Sequence, residues 1–129
     1  MKISSRDIKQ LLFNENLFTP TFNPKLLIMD NEFTLLPDRV AKQIIIKDET
    51  NTFRYTKETG DCDNFAFELR SAFGRFGYAC GVLIVKPEGW ATTHAVFFWI
   101  NQSKQVRVIE PQTDKQFSIQ FNVRGVVMY

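Results

Sequence analysis

Cysteine and histidine are scarce in this 129-residue chain: two of the first, Cys62 and Cys80, and one of the second, His94. Two thiols permit one disulfide at most, which argues against a disulfide-stapled scaffold. Two thiols and a lone imidazole also lack the spacing of a tetrahedral zinc site. Charge of one sign is missing too. The net charge is +2, with Lys and Arg scattered rather than gathered into a stripe, so the electrostatic footprint of a nucleic-acid binder is absent. No apolar run approaches the length of a membrane span, and the N-terminus MKISSRDIKQ has no apolar signal region. These absences predict no nucleic-acid partner, no membrane partner and a cytoplasmic location. Repeats and low-complexity segments are also absent.

What is present is apolar and aromatic. Hydrophobic residues make up 44% of the chain and 13 of its residues are Phe, enough apolar surface to offset the entropy of ordering one core. The length predicts a single domain over residues 1–129. Its expected core is 55–129, and residues 1–54 supply additional N-terminal elements.

Residues 4–13 read as a helix capped by Ser4 or Ser5, with Ile8, Leu11 and Leu12 on one stripe. Asn and Pro residues punctuate a loop over 14–24. KLLIM (25–29) reads as a strand, buried or at the edge of the core. Pro37 and Asp38 read as a helix start, whereas IIIK (44–47) fits a strand better, and residues 37–47 stay open between the two. TFRYT (52–56) is a further strand candidate. From Asp61 to Phe73 the pattern is helical: Cys62, Phe65, Ala66, Leu69 and Phe73 share a face, with Asp61 as cap and Gly74 and Gly77 as the stop. Five strand-like stretches follow the helix, YACGVLIV (78–85), HAVFFWI (94–100), QVRVIE (105–110), QFSIQF (116–121) and VRGVVMY (123–129). One helix followed by an antiparallel sheet predicts the α+β class.

Three short segments carry the chemistry: GDCDNFAFEL around Cys62, TTHAVFFW around His94 and VRVIEPQ around Glu110. Cys62 falls at a helix start, where unpaired N–H groups and the helix dipole favour a thiolate and can serve an oxyanion. The alternative is a Cys filling space on the apolar stripe, and the flanking Asp61 and Asp63 work against a thiolate. His94 opens an apolar strand, as a base or as a satisfied core imidazole. If the hairpin loop is Asn101–Ser103, Glu110 faces His94 directly; if it is Asn101–Gln105, Glu110 faces Val96 and lies diagonal to His94. Both odd lengths put the two on one face of the sheet, whereas an even loop would put them on opposite faces. Glu110 sits on an apolar row with Val106 and Val108, so its charge needs a partner, His94 or an arginine such as Arg107 or Arg124. A thiol, a base and an orienting carboxylate are the parts of nucleophilic acyl transfer.

The segments DCDNFA, THAV and IEPQ resemble a small papain-like cysteine peptidase group represented by the C-terminal domain of the MOA-related agglutinin lectins, with similar short proteins in bacteria and phages. The resemblance spans roughly residues 55–115 and implies a papain-like, NlpC-like minimal fold, in which a central helix carrying Cys62 at its N-terminus packs on an antiparallel sheet. It implies that Cys62 is the nucleophile, His94 the base and Glu110 the group that orients it. Such enzymes place a Gln in the oxyanion hole several residues before the nucleophile. Here Tyr55, Thr56 and Lys57 stand there, so Tyr55 is the substitute donor. Trp90 and Gln112 are expected beside the cleft. No cofactor is expected; calcium enters through the resemblance alone, with Asp61, Asp63 and Asp114 as oxygen donors and no spaced calcium loop.

The function expected is a thiol hydrolase, a peptidase or amidase acting on a peptide or amide substrate. The alternative is a catalytically inactive binding module of phage or accessory type on the same fold, which takes a protein partner; the missing Gln and the acidic flanks favour it. A third, weaker reading is an assembly protein whose many Phe form an interface. The sequence specifies neither the oligomeric state nor the substrate.

Overall fold

All seven residues of the strand His94–Ile100 are buried. A strand covered on both faces must lie inside a layered structure, and this one lies in the middle of a six-stranded sheet. The structure is a computed structural model that describes residues 1–14, 24–48, 62–74, 77–117 and 120–129. In chain order the elements are β1 (Lys2–Ser4), α1 (Ser5–Asn14), β2 (Lys25–Ile28), β3 (Glu32–Thr34), α2 (Asp38–Lys47), α3 (Cys62–Ala72), β4 (Cys80–Pro87), β5 (His94–Ile100), β6 (Val106–Glu110), β7 (Lys115–Gln116) and β8 (Phe121–Met128). The main sheet runs β2-β8-β4-β5-β6-β7, and β1 pairs with β3 in a separate ribbon. This is an α+β fold with the Cys62 helix packed on the sheet.

Successive residues of a strand point to opposite faces, and the two faces of β5 meet different helices. Val96, Phe98 and Ile100 join Leu83, Val85, Val126 and Met128 in one core, which α1 and the β1–β3 ribbon complete through Ile3, Ile8, Leu12 and Phe33. Ala95, Phe97 and Trp99 face the other way. Phe97 and Trp99 pack with Leu69 and Phe73 of α3 and with Ala41 and Ile45 of α2, and Ala95 meets Ala66, Val82 and Cys62. Burying each of the large side chains contributes roughly 2–3 kcal/mol. At Gly81 a Cβ would collide with the carbonyl oxygen of Val127, so glycine lets β8 approach β4 closely.

The elements differ from expectation in three places, and one open segment is decided. Of the segment 37–47, residues Asp38–Lys47 form one helix. Ala41 and Ile45, four apart, are buried, and this packing outweighs the few tenths of a kcal/mol that isoleucines cost a helix. β2 is a strand, but its pattern is exposed, because among the described strands it is the outermost and pairs with β8 alone. That pairing is parallel, so the sheet is mixed rather than purely antiparallel. The expected strand 116–121 is instead the two-residue β7 and, from Phe121, the start of β8. The expected caps and stops fit better: the Ser4 hydroxyl accepts the Asp7 N–H at 3.1 Å, and Gly74 closes α3 at φ +75. The strand candidate 52–56 and most of the loop 14–24 lie outside the described residues.

Candidate functional site

Cys62 is the first residue of α3, where helix N–H groups have no partner within the helix. The periodicity of Phe65, Ala66 and Leu69 puts one face of α3 down on the sheet, and Cys62 packs at the edge of that contact with Ala95 and Ile84. The thiol is half-buried. Asp63 points elsewhere: it is exposed, and its Oδ1 accepts the Asn64 N–H at 3.1 Å. The acidic neighbour is thus engaged by its own helix turn.

His94 is placed by the register of β5. It pairs with Val85 across β4 and is 6% exposed. The turn to β6 is the five-residue loop Asn101–Gln105, since Ile100 pairs with Val106. Asn101 closes that loop by accepting the Ser103 and Gln105 N–H groups at 3.0 and 2.9 Å. Continued along the strands, this register sets Glu110 beside Val96 and diagonal to His94. The diagonal is bridged: the His94 Nε2–H donates to Glu110 Oε2. The other carboxylate oxygen, Oε1, accepts the backbone N–H of Gln112 at 3.2 Å. Arg107 turns instead toward Asp38, 4.0 Å away.

With Nε2 committed to Glu110, Nδ1 is the nitrogen left to serve the thiol. Burial penalises a charged His94, but the hydrogen bonds and charges of Cys62 and Glu110 outweigh that penalty and push its pKa up from 6.5 to about 9. Near neutral pH the imidazolium is therefore the favoured form, facing the sulfur. The second thiol is chemically remote. Burial pushes Cys80 up to about 12, with Arg70 pulling partly back, which leaves it inert.

Of the residues singled out from sequence, the fold brings Cys62, His94 and Glu110 together. Trp90 joins them, its ring 5.0 Å from that of His94. Gln112 is adjacent, although its contact to Glu110 is through the backbone rather than the side chain. Tyr55 and Asp61 lie outside the described residues. Two neighbours have no sequence signal. Phe117 lies 5.8 Å from the His94 ring, centroid to centroid, and the Lys86 ammonium donates to the Trp90 carbonyl. The Phe117 contact depends on which strands are adjacent, and spacing along the chain does not reveal that; the Lys86 contact is local, within one connection.

Calcium takes six to eight oxygen ligands. Asp114 follows Glu110 in the turn to β7, where burial and the charge of Asp48 push it up to about 6. It does not converge with Asp63: among the described residues no three His, Cys, Asp or Glu side chains gather into a set that could hold a metal ion. The described carboxylates do not form a calcium cage.

No protein-family model and no curated protein matches this chain. Solved structures match the fold. One, described as a PSL1a–E64 complex, superposes with a TM-score of 0.75 at 16% identity, over 98% of this chain and 50% of that one. Another is Polyporus squamosus lectin bound to the human-type influenza-binding epitope Neu5Aca2-6Galb1-4GlcNAc, with a TM-score of 0.73 at 16% identity, over 98% of this chain and 49% of that one. The chain spans about half the length of each. At this identity the likeness is one of fold. It agrees with the lectin side of the resemblance read from the sequence, and neither description speaks of a peptidase. Among the described residues no helix is long and apolar enough to cross a membrane.

Proposed function

We propose that the chain is a thiol hydrolase, a peptidase or amidase, with Cys62 as nucleophile, His94 as acid and base, and Glu110 as the group that fixes the imidazole tautomer. The observation that carries this reading is that a single buried side chain, His94, bridges a thiol at a helix start and a carboxylate on the neighbouring strand. In the resting pair the thiol proton is already on His94. The Cys62 thiolate attacks the substrate carbonyl carbon, and its electron pair forms the C–S bond while the carbonyl π pair moves to oxygen. The Cys62 backbone N–H faces that oxyanion, and Tyr55 is the proposed second donor. The intermediate collapses, the C–N bond breaks, and the imidazolium gives its proton to the leaving amine. Neutral His94 then takes a proton from water, whose oxygen attacks the thioester and releases the acid and the thiolate. Acyl transfer to an amine uses the same parts.

A second reading has its own support. One of the solved structures is described as a lectin with a bound carbohydrate epitope, which favours a non-catalytic binding module of the same fold, with a carbohydrate or a protein as its ligand. The whole-chain activity of those longer proteins enters here as a proposal alone. On either reading we place the protein in the cytoplasm.

Iodoacetamide separates the two. A hydrolase predicts a Cys62 alkylation rate that is already on a plateau well below the free-thiol pKa of about 8.5 and that falls in His94→Ala. A rate that rises only above about pH 8 and ignores the mutation would sink the enzyme reading. Prior incubation with E64 supplies a second readout, protection of Cys62 from alkylation. Calorimetric titration with Neu5Aca2-6Galb1-4GlcNAc tests the carbohydrate form of the alternative.

A further inference from the structure

A cavity of about 310 Å³ lies between α2 and the β6–β7 end of the sheet. Ile109 lines it, and Glu110 is the next residue, so the cavity and the catalytic carboxylate belong to opposite faces of β6. The walls are apolar: Ile45 and Ile46 on the helix side and Ile109 on the sheet side. Ile46 is 79% exposed, so a ligand that covered it would gain apolar burial.

The two ends of the cavity carry opposite charge. Lys42 and Arg107 stand at one end. Arg107 is 4.0 Å from Asp38, in the first turn of α2, and Lys42 makes no ion pair among the described residues. Asp114 stands at the other end, near enough to Asp48, which caps the C-terminus of α2, for the two charges to repel. Asp114 sits in a left-handed turn at φ 58, and its N–H donates to the Glu110 carbonyl at 2.8 Å. Its Oδ1 is buried and has no hydrogen-bond partner among the described residues. A buried acceptor left unmade is costly, and a charged donor from a ligand would satisfy it and relieve the repulsion by Asp48.

We propose that this cavity binds a short apolar peptide of two or three residues with both termini free. Its ammonium meets Asp114 and Asp48, its side chains cover Ile45, Ile46 and Ile109, and its carboxylate meets Lys42 and Arg107. The lengths agree. Lys42 and Asp48 are six positions apart along α2, roughly 9 Å at 1.5 Å per residue, and two or three extended residues span roughly 7–10 Å. Gln116, at the rim, can serve the peptide amide as donor or acceptor. The inference rests on the hydrolase reading for the source of such a peptide, since a peptidase releases short peptides; the binding itself needs no reaction.

The test uses the Cys62→Ser protein, which lacks the nucleophile, with leucyl-leucine as the probe. The chain has two tryptophans, and they report separately: Trp99 lines the cavity, while Trp90 stands beside His94. In a proton NMR titration the probe is expected to shift the Trp99 indole N–H with a Kd of about 1 mM or tighter and to leave that of Trp90 in place. N-acetyl-leucyl-leucine and leucyl-leucine amide each lack one charge and should bind at least about tenfold more weakly. Asp114→Asn keeps a residue that tolerates the left-handed turn. It should weaken leucyl-leucine at least about tenfold yet change the N-acetyl form by less than about twofold. Lys42→Gln should weaken leucyl-leucine and spare the amide in the same way. Capped peptides that bind as well as leucyl-leucine overturn the proposal, as does a shift of Trp90 in place of Trp99. So does an unmoved Trp99 signal at about 10 mM peptide. Because the thiol is absent throughout, failure here leaves the iodoacetamide test of the hydrolase untouched, and failure there leaves this site untouched.

Discussion

At its first residue β5 carries His94 between a thiol and a carboxylate, and around its last it carries a second, part-buried polar network. There the Trp99 Nε1–H donates to Asp38 Oδ1 at 2.8 Å, and the Asn101 Nδ2–H groups reach Asp38 Oδ2 at 3.2 Å and Gln105 Oε1 at 3.0 Å. The two ends are alike in joining helix to sheet through hydrogen-bonded side chains, though Asp38 is more exposed than His94 or Glu110. They differ in what can change state. At the Asp38 end every donor is an indole, an amide or a guanidinium, none of which gives up a proton near neutral pH. That network ties α2 to β5 and to the loop after it. At the His94 end the central group titrates, and one of its partners is a nucleophile. A buried polar cluster alone therefore says little about chemistry; a proton acceptor touching a thiol says much more.

The largest effect expected from breaking the comparison is on reactivity. Cys62→Ser should remove essentially all iodoacetamide uptake near neutral pH, a loss of about 100-fold or more, because the Cys80 thiol is buried and pushed up to about 12. Counting labelled thiols by mass checks this, and a second site labelled at a comparable rate would show the assignment to be wrong. His94→Ala should slow Cys62 alkylation at pH 6–7 by roughly 10- to 100-fold.

Stability should separate the ends next. His94 is raised from 6.5 to about 9, so its contribution is fully present below about pH 6.5 and is lost as the pH climbs through about 9. A rise of this size corresponds to about 3 kcal/mol. Urea unfolding at pH 6 and pH 10 should show the loss in the parent and much less of it in Glu110→Gln; equal pH dependence in both would contradict the pairing. Asp38→Ala should cost about 2 kcal/mol by leaving the Trp99 and Asn101 donors without their acceptor. It should leave the alkylation rate within about twofold, and a large fall in that rate would mean the ends are coupled. The smallest effect belongs to Gln112→Ala. Its contact to Glu110 is a backbone N–H, so both stability and alkylation should stay close to the parent, within about 0.5 kcal/mol for stability.

The sequence made the helix at Cys62 and the strand at His94 legible because each has an unmixed period. Cys62, Phe65, Ala66 and Leu69 repeat as a helix does, and HAVFFWI is too apolar and too β-branched or aromatic for anything but a buried strand. It was silent or divided where neighbours decide. IIIK (44–47) has strand propensity, yet Ala41 and Ile45 bury against β5 and α3 and the segment is helical. KLLIM (25–29) has a core composition, yet it pairs along one side with β8 and stays exposed. β1 and β3, three residues each, are too short to carry any period.

Residue identity and spacing by themselves determined the elements that bear Cys62, His94 and Glu110, and limited the base to one histidine. An odd hairpin loop puts His94 and Glu110 on one face and an even loop puts them on opposite faces, because side chains alternate along a strand. Only the tertiary structure decided the loop, in favour of Asn101–Gln105 and the diagonal approach. It also brought the thiol of α3 to the imidazole and set Trp90 and Phe117 around that ring. Those contacts join segments tens of residues apart, and their geometry is fixed by how helices and strands pack against one another, which no local period records.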